Sequence, residues 1–369
     1  LPKTENFVVT RFAPSPTGFF HIGSVRTALF SYAFAKKNGG KMILRIEDTD
    51  RARSKKEYEE DILEELAWLG ITFEGPYRQS ERGEIYKTYS GRLLESGDAY
   101  WAKEEEGTVI RFKNPNKKVR FTDVVRGEIE FDTTELKDFV IARTLESPLF
   151  HFAVVIDDYE MGVTHLIRGE DHISNTPRQI LIQEALGIPP PVYAHLPLVL
   201  APDKSKLSKR NMSQGVALRD YRKAGFIPDA ITNFVALLGW SPEEKDKEVF
   251  TTEEFVEMFA LERIQRGNAQ FNMDRLRWLN KEHMKKLGEE KIFEGVRGHL
   301  SEEIKNLPQY SESRLRRSVK IFFERIEVFA DIAKMSEAGE LQYLFAPPVY
   351  ERADKLISQK EGQGDSAGT

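Results

Sequence analysis

The stretch FVVTRFAPSPTGFFHIGSVRTALFSYAFAKK, Phe7 to Lys37, decides the reading of the fold. Phe7 to Phe12 is a short β-branched and aromatic run. A loop rich in Pro, Ser and Gly follows, and then apolar residues at helical spacing from about Ile22 to Lys37. Strand, phosphate-sized loop and helix in that order open a nucleotide-binding α/β unit. The helix start matters chemically, because its unpaired N–H groups and partial positive charge favour a phosphate.

Outward from that unit, Lys41 to Glu47 reads as a second strand. Ser54 and Glu57 have the spacing of a capping box that opens a helix closed by Gly70. This βαβ repeat predicts a parallel sheet. From Tyr100 to Ser147 the pattern changes to short alternating strands such as Val109 to Lys113, Gly127 to Asp132 and Phe139 to Arg143, the mark of an insertion into the sheet domain. Sheet-type runs return at Phe150 to Ile156, His165 to Arg168 and Ala194 to Leu200, with a helix over Thr176 to Leu186. Beyond Ser213 the chain reads as helical: Val216 to Lys223, Pro228 to Leu238, a helix capped by Thr251 with Glu254, Met273 to Lys286, and two amphipathic stretches after Lys291. The polar, Gly-rich residues 359–369 are expected to be disordered. The fold class is thus α/β, a Rossmann-type parallel-sheet domain with an inserted α+β domain and a mostly helical C-terminal half.

Length and composition bound the function. A chain of 369 residues suggests about two to four domains. No run reaches the roughly 20 apolar residues of a membrane span, and the first residues lack the apolar core of a signal peptide, so a cytoplasmic protein is expected. The absence of cysteine excludes disulfides, thiolate zinc sites and a cysteine nucleophile. A net charge of −5 argues against a protein that coats nucleic acid indiscriminately, yet leaves room for local basic faces at Lys204 to Lys223 and Arg314 to Arg325. Either run, taken alone, is also what a solvated helix face looks like.

Two short motifs carry the chemistry. The loop Ala13 to Gly18 ends at a helix start holding His21, Gly23 and Ser24, where a glycine admits close approach and a histidine can hydrogen-bond a phosphate oxygen. A histidine at this place serves equally as a cap. Lys206, Ser208, Lys209 and Arg210 put concentrated positive charge on a loop after a strand, suited to a pyrophosphate that gains charge as it leaves; a solvated basic turn has the same composition.

In order along the chain, RFAPSPTG (Arg11 to Gly18), HIGS (His21 to Ser24), LRIEDTD (Leu44 to Asp50), DDYEMGVTHLIRGEDHISNTPRQ (Asp157 to Gln179), LSKR (Leu207 to Arg210) and FVALLGWSP (Phe234 to Pro242) resemble the bacterial glutamate-tRNA ligase, or glutamyl-tRNA synthetase, family of class I. The resemblance implies ATP-dependent formation of glutamyl-adenylate and transfer to the terminal ribose of tRNA. It implies L-glutamate contacts at Arg11, Ala13, Ser15, Glu47, Phe150, Val154 and Arg168, with Arg168 the first choice for the side-chain carboxylate. That set is chemically sensible, since a dianionic amino acid wants guanidinium groups for its carboxylates and a carboxylate for its ammonium group. ATP contacts are implied at Pro14, Thr17, Gly18, His21, Gly23, Ser24, Asp171, His172 and Lys209, and the catalytic group at His21, Gly23, Lys206 and Lys209. Mg²⁺ would arrive with ATP. The implied organisation is a catalytic domain in two parts, 1-99 and 149-212, an acceptor-end domain at 100-148, a stem-contact domain at 213-286, a reduced anticodon-binding region at 287-358 and a tail at 359-369. The implied partner is tRNA(Glu), with tRNA(Gln) left open as a second acceptor, and the implied state is a monomer without membrane association.

The sequence departs from the family in places. Many relatives hold zinc through a CxC pair; Ala102 and Glu104 stand where those cysteines would lie, so no structural zinc is expected. Phe150 replaces a tyrosine that approaches the substrate, Val154 replaces an asparagine found in some members, and Asn211, Met212 and Ser213 follow LSKR where relatives continue with HGA. The match fades after about Leu344, which leaves a naturally reduced C-terminal region and a fragment as alternatives.

Overall fold

The computed structural model describes residues 7–105, 107–205, 207, 217–244 and 246–345, in two compact units, Leu1–Lys286 and Leu287–Thr369. In the first unit β1 (Val9–Phe12), α1 (Ile22–Lys37), β2 (Lys41–Ile46), α2 (Lys56–Trp68) and β3 (Glu74–Arg78) form two βαβ steps. The strands pair in parallel, with Arg11 opposite Ile43 and Arg45 opposite Tyr77. After α3 (Gly83–Ser96) come β4 (Ala99–Glu104), β5 (Gly107–Phe112), β6 (Lys118–Asp123), β7 (Gly127–Asp132), β8 (Phe139–Thr144) and β9 (Ser147–Pro148). Next are α4 (Phe150–Glu160), β10 (His165–Gly169), α5 (Thr176–Leu186), β11 (Val192–Leu196) and β12 (Val199–Leu200).

Strands β4, β5, β8 and β9 make an antiparallel sheet, whereas the antiparallel pair β6 and β7 joins the parallel pair β10 and β11 in a mixed sheet, β6 meeting β11 in parallel where Tyr193 lies opposite Asp123. The edges of β1 and β10 come together through Thr164: its backbone N–H donates to the Val9 carbonyl at 2.9 Å, and its Oγ1 accepts from the Val9 N–H at 2.9 Å. The parallel strands therefore run in the spatial order β3, β2, β1, β10, β11. Segment 100–148 has no core of its own: Ile110, Phe112, Val119, Phe121, Phe139 and Ile141 pack in one cluster with Tyr86, Leu93, Phe152, Ile156, Leu181 and Tyr193.

The unit closes with α6 (Leu218–Lys223), α7 (Pro228–Ala236), α8 (Thr252–Met258), β13 (Ala269–Gln270) and α9 (Met273–Met284). Helix α1 is covered by this helical part: Phe30 lies 5.9 Å from Phe255 and 5.0 Å from Phe259 between ring centroids, and Lys37 Nζ donates to the Phe259 carbonyl at 2.8 Å. The second unit contains α10 (Glu289–His299), α11 (Glu302–Lys305), α12 (Glu312–Phe323) and α13 (Asp331–Glu337), around Phe293, Val296, Leu315, Phe322, Ile332 and Phe345. No described helix is long and apolar enough to cross a membrane. The tail at 359–369 lies outside the described residues.

Four local expectations change. Phe150 to Ile156, read as strand from its β-branched and aromatic content, is the first half of α4. It is buried on every side from Phe152 to Asp158, and a short apolar run has no periodicity to separate buried helix from buried strand. The run Ala194 to Leu200 is two strands rather than one, interrupted at Pro197, which has no N–H for a ladder. The stretch between Gly70 and Tyr100, read without an element, holds strand β3 and helix α3, while β4 and β6 belong to the short strands expected from about Tyr100 to Ser147. The capping box at Ser54 and Glu57 does not form: the Lys55 N–H donates to the Pro16 carbonyl at 3.0 Å, Lys55 is the N-cap of α2, and Ser54 Oγ is buried without a hydrogen-bond partner among the described residues.

The box at Thr251 and Glu254 does form. Glu254 N donates to Thr251 Oγ1 at 3.3 Å and Thr251 N to Glu254 Oε2 at 2.8 Å. Thr251→Ala is expected to cost about 1 kcal/mol, whereas Ser54→Ala stays within about 0.5 kcal/mol. Unfolding midpoints of the two variants check this, and equal losses would contradict it.

Candidate active site

A cleft of about 590 Å³ opens at the carboxyl ends of β1, β2, β10 and β11. This is where a parallel α/β sheet leaves a crevice between diverging connections. Its wall from β1 onward is the loop Ala13 to Gly18, continuing through Phe20 and His21 into the first turn of α1. Glu47 follows β2, Arg168 and Gly169 end β10, and Pro197, Leu198 and Val199 follow β11. The loop itself is held by the Glu47 N–H donating to the Pro14 carbonyl at 3.0 Å and by Asp61 Oδ2 accepting from the Phe20 N–H at 2.8 Å.

His21 is the N-cap of α1. Its Nδ1 accepts from the Ser24 N–H at 3.3 Å, and its Nε2 lies 3.0 Å from Ser24 Oγ. The residue is exposed and lines the cleft, so capping and ligand-facing roles coincide here. A Cβ at position 23 would stand 3.2 Å from the His21 ring, so Gly23 keeps that ring in place as well as leaving the helix start open.

The floor of the cleft is a buried charge network. Arg45, fully buried on β2, donates through Nη1 to Asp158 Oδ1 at 2.7 Å and through Nη2 to Glu47 Oε1 at 3.1 Å, with Nε 3.8 Å from Asp157. Arg11 Nε lies 3.4 Å from Asp158 Oδ1. Asp157 is also bound by Arg82 at 2.6 Å, Gln79 at 2.8 Å and the Tyr86 hydroxyl at 2.9 Å. Burial works against the charged form of Arg45 but is outweighed by Asp158, Asp157 and Glu47, which hold it above its ordinary pKa. For Glu47 the balance goes the other way: burial raises its pKa despite Arg45 and Arg11.

Arg168 is 3 % exposed and fixed on two of its three nitrogens. Nε donates to His195 Nε2 at 3.0 Å; Nη2 donates to Thr176 Oγ1 and Gln179 Oε1, each at 2.8 Å. Nη1 is buried and has no hydrogen-bond partner among the described residues. Burial, reinforced by the nearby Arg11 charge, lowers the Arg168 pKa to about 10. Two neighbouring buried cations, with Arg168 Nη1 and Arg11 Nε both lacking a hydrogen-bond partner among the described residues, form a place suited to an anion. His172, 5.7 Å from the Phe150 ring, is kept neutral by burial, with Arg168 adding, its pKa lowered to about 4. Asp171 explains Gly169, since a Cβ there would meet Asp171 Oδ1 at 2.4 Å.

The cleft brings together Arg11, Ala13, Ser15, Glu47, Phe150 and Arg168 with Pro14, Thr17, Gly18, His21, Gly23, Ser24, Asp171 and His172. Val154 is a correction: it is buried within α4 and does not line the cleft, because the segment is a helix and turns this side chain into the core. Lys206 and Lys209, with Asn211, Met212 and Ser213, lie outside the described residues; Leu207 between the two lysines lines the cleft. Sequence reasoning missed Arg45, Asp158 and His195, although the first two stand inside motifs quoted above. Among the described residues no three His, Cys, Asp or Glu side chains gather to hold a metal ion. In the basic stretches, Arg222 pairs with exposed Glu64 and with buried Glu65, while Arg316 pairs with Glu290 and Arg325 with Glu340 on the surface. A second cavity of about 640 Å³, lined by Phe234, Gln270 and Arg275 among others, holds none of the expected site residues.

A parallel sheet with a cleft at its strand ends, a helix N-terminus on one wall and buried arginines on the floor defines the catalytic core of a class I aminoacyl-tRNA synthetase, and residues 7–107 and 101–278 match the family described as tRNA synthetases class I (E and Q), catalytic domain. A glutamate–tRNA ligase of Aquifex aeolicus is 47 % identical over 313 residues, 74 % of this chain and 66 % of that protein. One from Thermodesulfovibrio yellowstonii is 42 % identical over 377 residues, 92 % of this chain and 80 % of that protein. The crystal structure of a glutamate-tRNA synthetase from Elizabethkingia anophelis superposes with a TM-score of 0.84 at 32 % identity, covering 95 % of this chain and 84 % of that one. The chain belongs to the glutamate–tRNA ligases, enzymes that attach glutamate to tRNA, and the family's use of ATP comes with it.

Replacing Arg45 tests the floor of the cleft. Arg45→Met leaves Glu47, Asp157 and Asp158 buried without their shared cation, at a cost of roughly 3–5 kcal/mol near neutral pH. Folded-state carboxylate pKa values then rise above their unfolded values, so the folded form binds more protons and the variant loses stability as pH increases. Melting temperatures between pH 5 and 8 are expected to show its deficit against the unmodified protein widening upward; a constant deficit would refute the assignment.

Proposed function

We propose that the chain joins L-glutamate to tRNA with the amino acid seated between Arg11, Arg168 and Glu47, and the nucleotide along the loop Ala13 to Gly18 and the start of α1. The observation that carries this reading is the buried, unused Nη1 donor of Arg168, set in a site that holds more cation than its own residues neutralise on that side. A glutamate side-chain carboxylate supplies the missing acceptor and the missing charge. Glu47 takes the ammonium group, which leaves the α-carboxylate to attack the α-phosphorus of ATP. Ala13, Ser15 and Phe150 shape the amino acid pocket; Phe150, at the start of α4, brings no hydroxyl to it.

ATP is held by its phosphates against the unpaired N–H groups at the start of α1, with Pro14, Thr17, Gly18, His21, Gly23 and Ser24 around them and Asp171 and His172 beside the adenosine. Lys206 and Lys209 stabilise the departing pyrophosphate. Mg²⁺ travels on the nucleotide, whose phosphates are its usual ligands. No protein nucleophile is required: the terminal ribose hydroxyl of tRNA attacks the acyl carbon of the mixed anhydride, the carboxyl–phosphate bond breaks and AMP leaves, so the protein's contribution is position and charge. In this reading 100-148 receives the acceptor end, 213-286 the stem and 287-358 the anticodon arm. The acceptor is tRNA(Glu), with tRNA(Gln) the alternative to be tested, and the resemblance implies a cytoplasmic monomer.

Charging purified transcripts of both tRNAs with labelled glutamate checks the acceptor, and pyrophosphate exchange with and without tRNA checks the chemistry. Lys209→Ala is expected to lower exchange by about 10²–10³-fold. Arg168→Gln is expected to raise the KM for glutamate by about 10–100-fold with the KM for ATP little changed, the effect of losing a charged hydrogen bond. Exchange indifferent to Lys209, or a glutamate KM indifferent to Arg168, would overturn these roles.

A further inference from the structure

Arg168 is itself held in place by residues that do not touch the cleft. Its Nε–H donates to His195 Nε2 at 3.0 Å, so Nε2 must present a lone pair. The ring proton then sits on Nδ1, which lies 2.7 Å from Asp123 Oδ2. The same Asp123 oxygen accepts from the His195 backbone N–H at 3.0 Å, and Oδ1 accepts from Val125 N at 2.9 Å and Arg126 N at 2.8 Å. His195 is wholly buried and Asp123 is 1 % exposed; neither lines the cleft.

We propose that Asp123 and His195 are positioning residues for glutamate selection: Asp123 fixes the ring proton on Nδ1, and the free Nε2 lone pair anchors Arg168 Nε so that Nη1 meets the substrate side chain. The inference rests on the reading of Arg168 given above and goes beyond it. A doubly protonated His195 would turn an N–H toward the Arg168 N–H and place a second cation beside it. Burial disfavours that state, outweighing the Asp123 bond, and the Arg168 charge adds to the effect, so His195 titrates below its ordinary pKa. Asp123 is held on the ionised side: burial opposes ionisation, but the His195 bond and the two N–H donors outweigh it. The other nitrogen in contact, Nη2, is held by Gln179 and by Thr176, whose Oγ1 also lies 3.4 Å from His195 Nε2, so removing the histidine frees the guanidinium to swing about one edge rather than releasing it. Asp123 ends β6, inside segment 100–148, so that segment contributes directly to the support of the amino acid pocket.

Steady-state aminoacylation, with glutamate and ATP varied separately, tests this in the full chain. His195→Phe removes the acceptor and is expected to raise the KM for glutamate about tenfold or more, with kcat and the KM for ATP within about twofold. His195→Gln, whose amide oxygen reaches the place of Nε2, is expected to recover to within about threefold of the unmodified enzyme. The double variant with Arg168→Gln is expected to be no worse than Arg168→Gln alone, because both act on one contact. A glutamate KM unmoved in His195→Phe, or equal rises for glutamate and ATP, overturns the proposal. Should His195→Phe fail to fold, Asp123→Asn decides by the same split: a selective rise in the glutamate KM supports it, and no rise or an unselective one overturns it. If Arg168→Gln raises the glutamate KM and the His195 variant does not, only the positioning roles fall; if Arg168→Gln leaves it unchanged, the reading of the pocket falls with them.

Discussion

The cleft depends on the burial of Arg45 among three carboxylates. A guanidinium without solvent is tolerable only when anions surround it, and Glu47, Asp157 and Asp158 do so from two chain segments, one after β2 and one in α4. The consequence is geometric. Asp158 is shared with Arg11 on β1, and Asp157 with Arg82 and Tyr86, so one cation ties strand β1, strand β2, helix α3 and helix α4 into the floor of one site. Such networks stabilise little net of their desolvation, but losing a member is costly.

On that floor the charges are unevenly distributed. Around Arg45 the anions are in excess, and Glu47 is the one that faces the cleft with its pKa raised by burial. Around Arg168 the cations are in excess and one donor is unused. A ligand with an ammonium at one end and carboxylates at the other completes both sides at once. The proposed seating of glutamate therefore rests on the polarity of the site rather than on its size. The helix N-terminus capped by His21 stands on the adjoining wall, where its N–H groups favour an anion.

The helical part of the first unit bears on the same region. Arg26, buried on α1, donates through Nη1 to the Leu238 carbonyl at 3.0 Å and through Nη2 to the Pro197 carbonyl, and burial lowers its pKa to about 10 against the attraction of Glu170 and Asp171. Arg126, on the turn after β6, pairs with Glu170, whose Oε1 accepts the Leu198 N–H at 2.9 Å. Segments that the sequence pattern separates into sheet, insertion and a following helical part are therefore joined around the cleft by buried or half-buried arginines.

Local signals in the sequence were enough for α1, for the parallel β1 and β2, for the cap at Thr251 and for the loop and helix start that line the cleft, because each is decided within a turn or two of chain. Quoted motifs also contained Arg45, Asp158 and His172, but nothing in their spacing says which groups face a ligand and which face each other. Partners 113 residues apart, as Arg45 and Asp158 are, become neighbours only when α4 is packed beneath β2. The strand expected at Phe150 to Ile156 fails for a related reason: a run apolar on every side takes its conformation from the core that receives it. The sequence alone determined the family chemistry and the N-terminal βαβ unit, since those rest on short-range patterns. Only tertiary structure decided that Val154 is buried in the core away from the cleft, that His195 and Asp123 stand behind Arg168, and that Arg168 Nη1 is buried without a hydrogen-bond partner among the described residues, since burial and long-range pairing set all three.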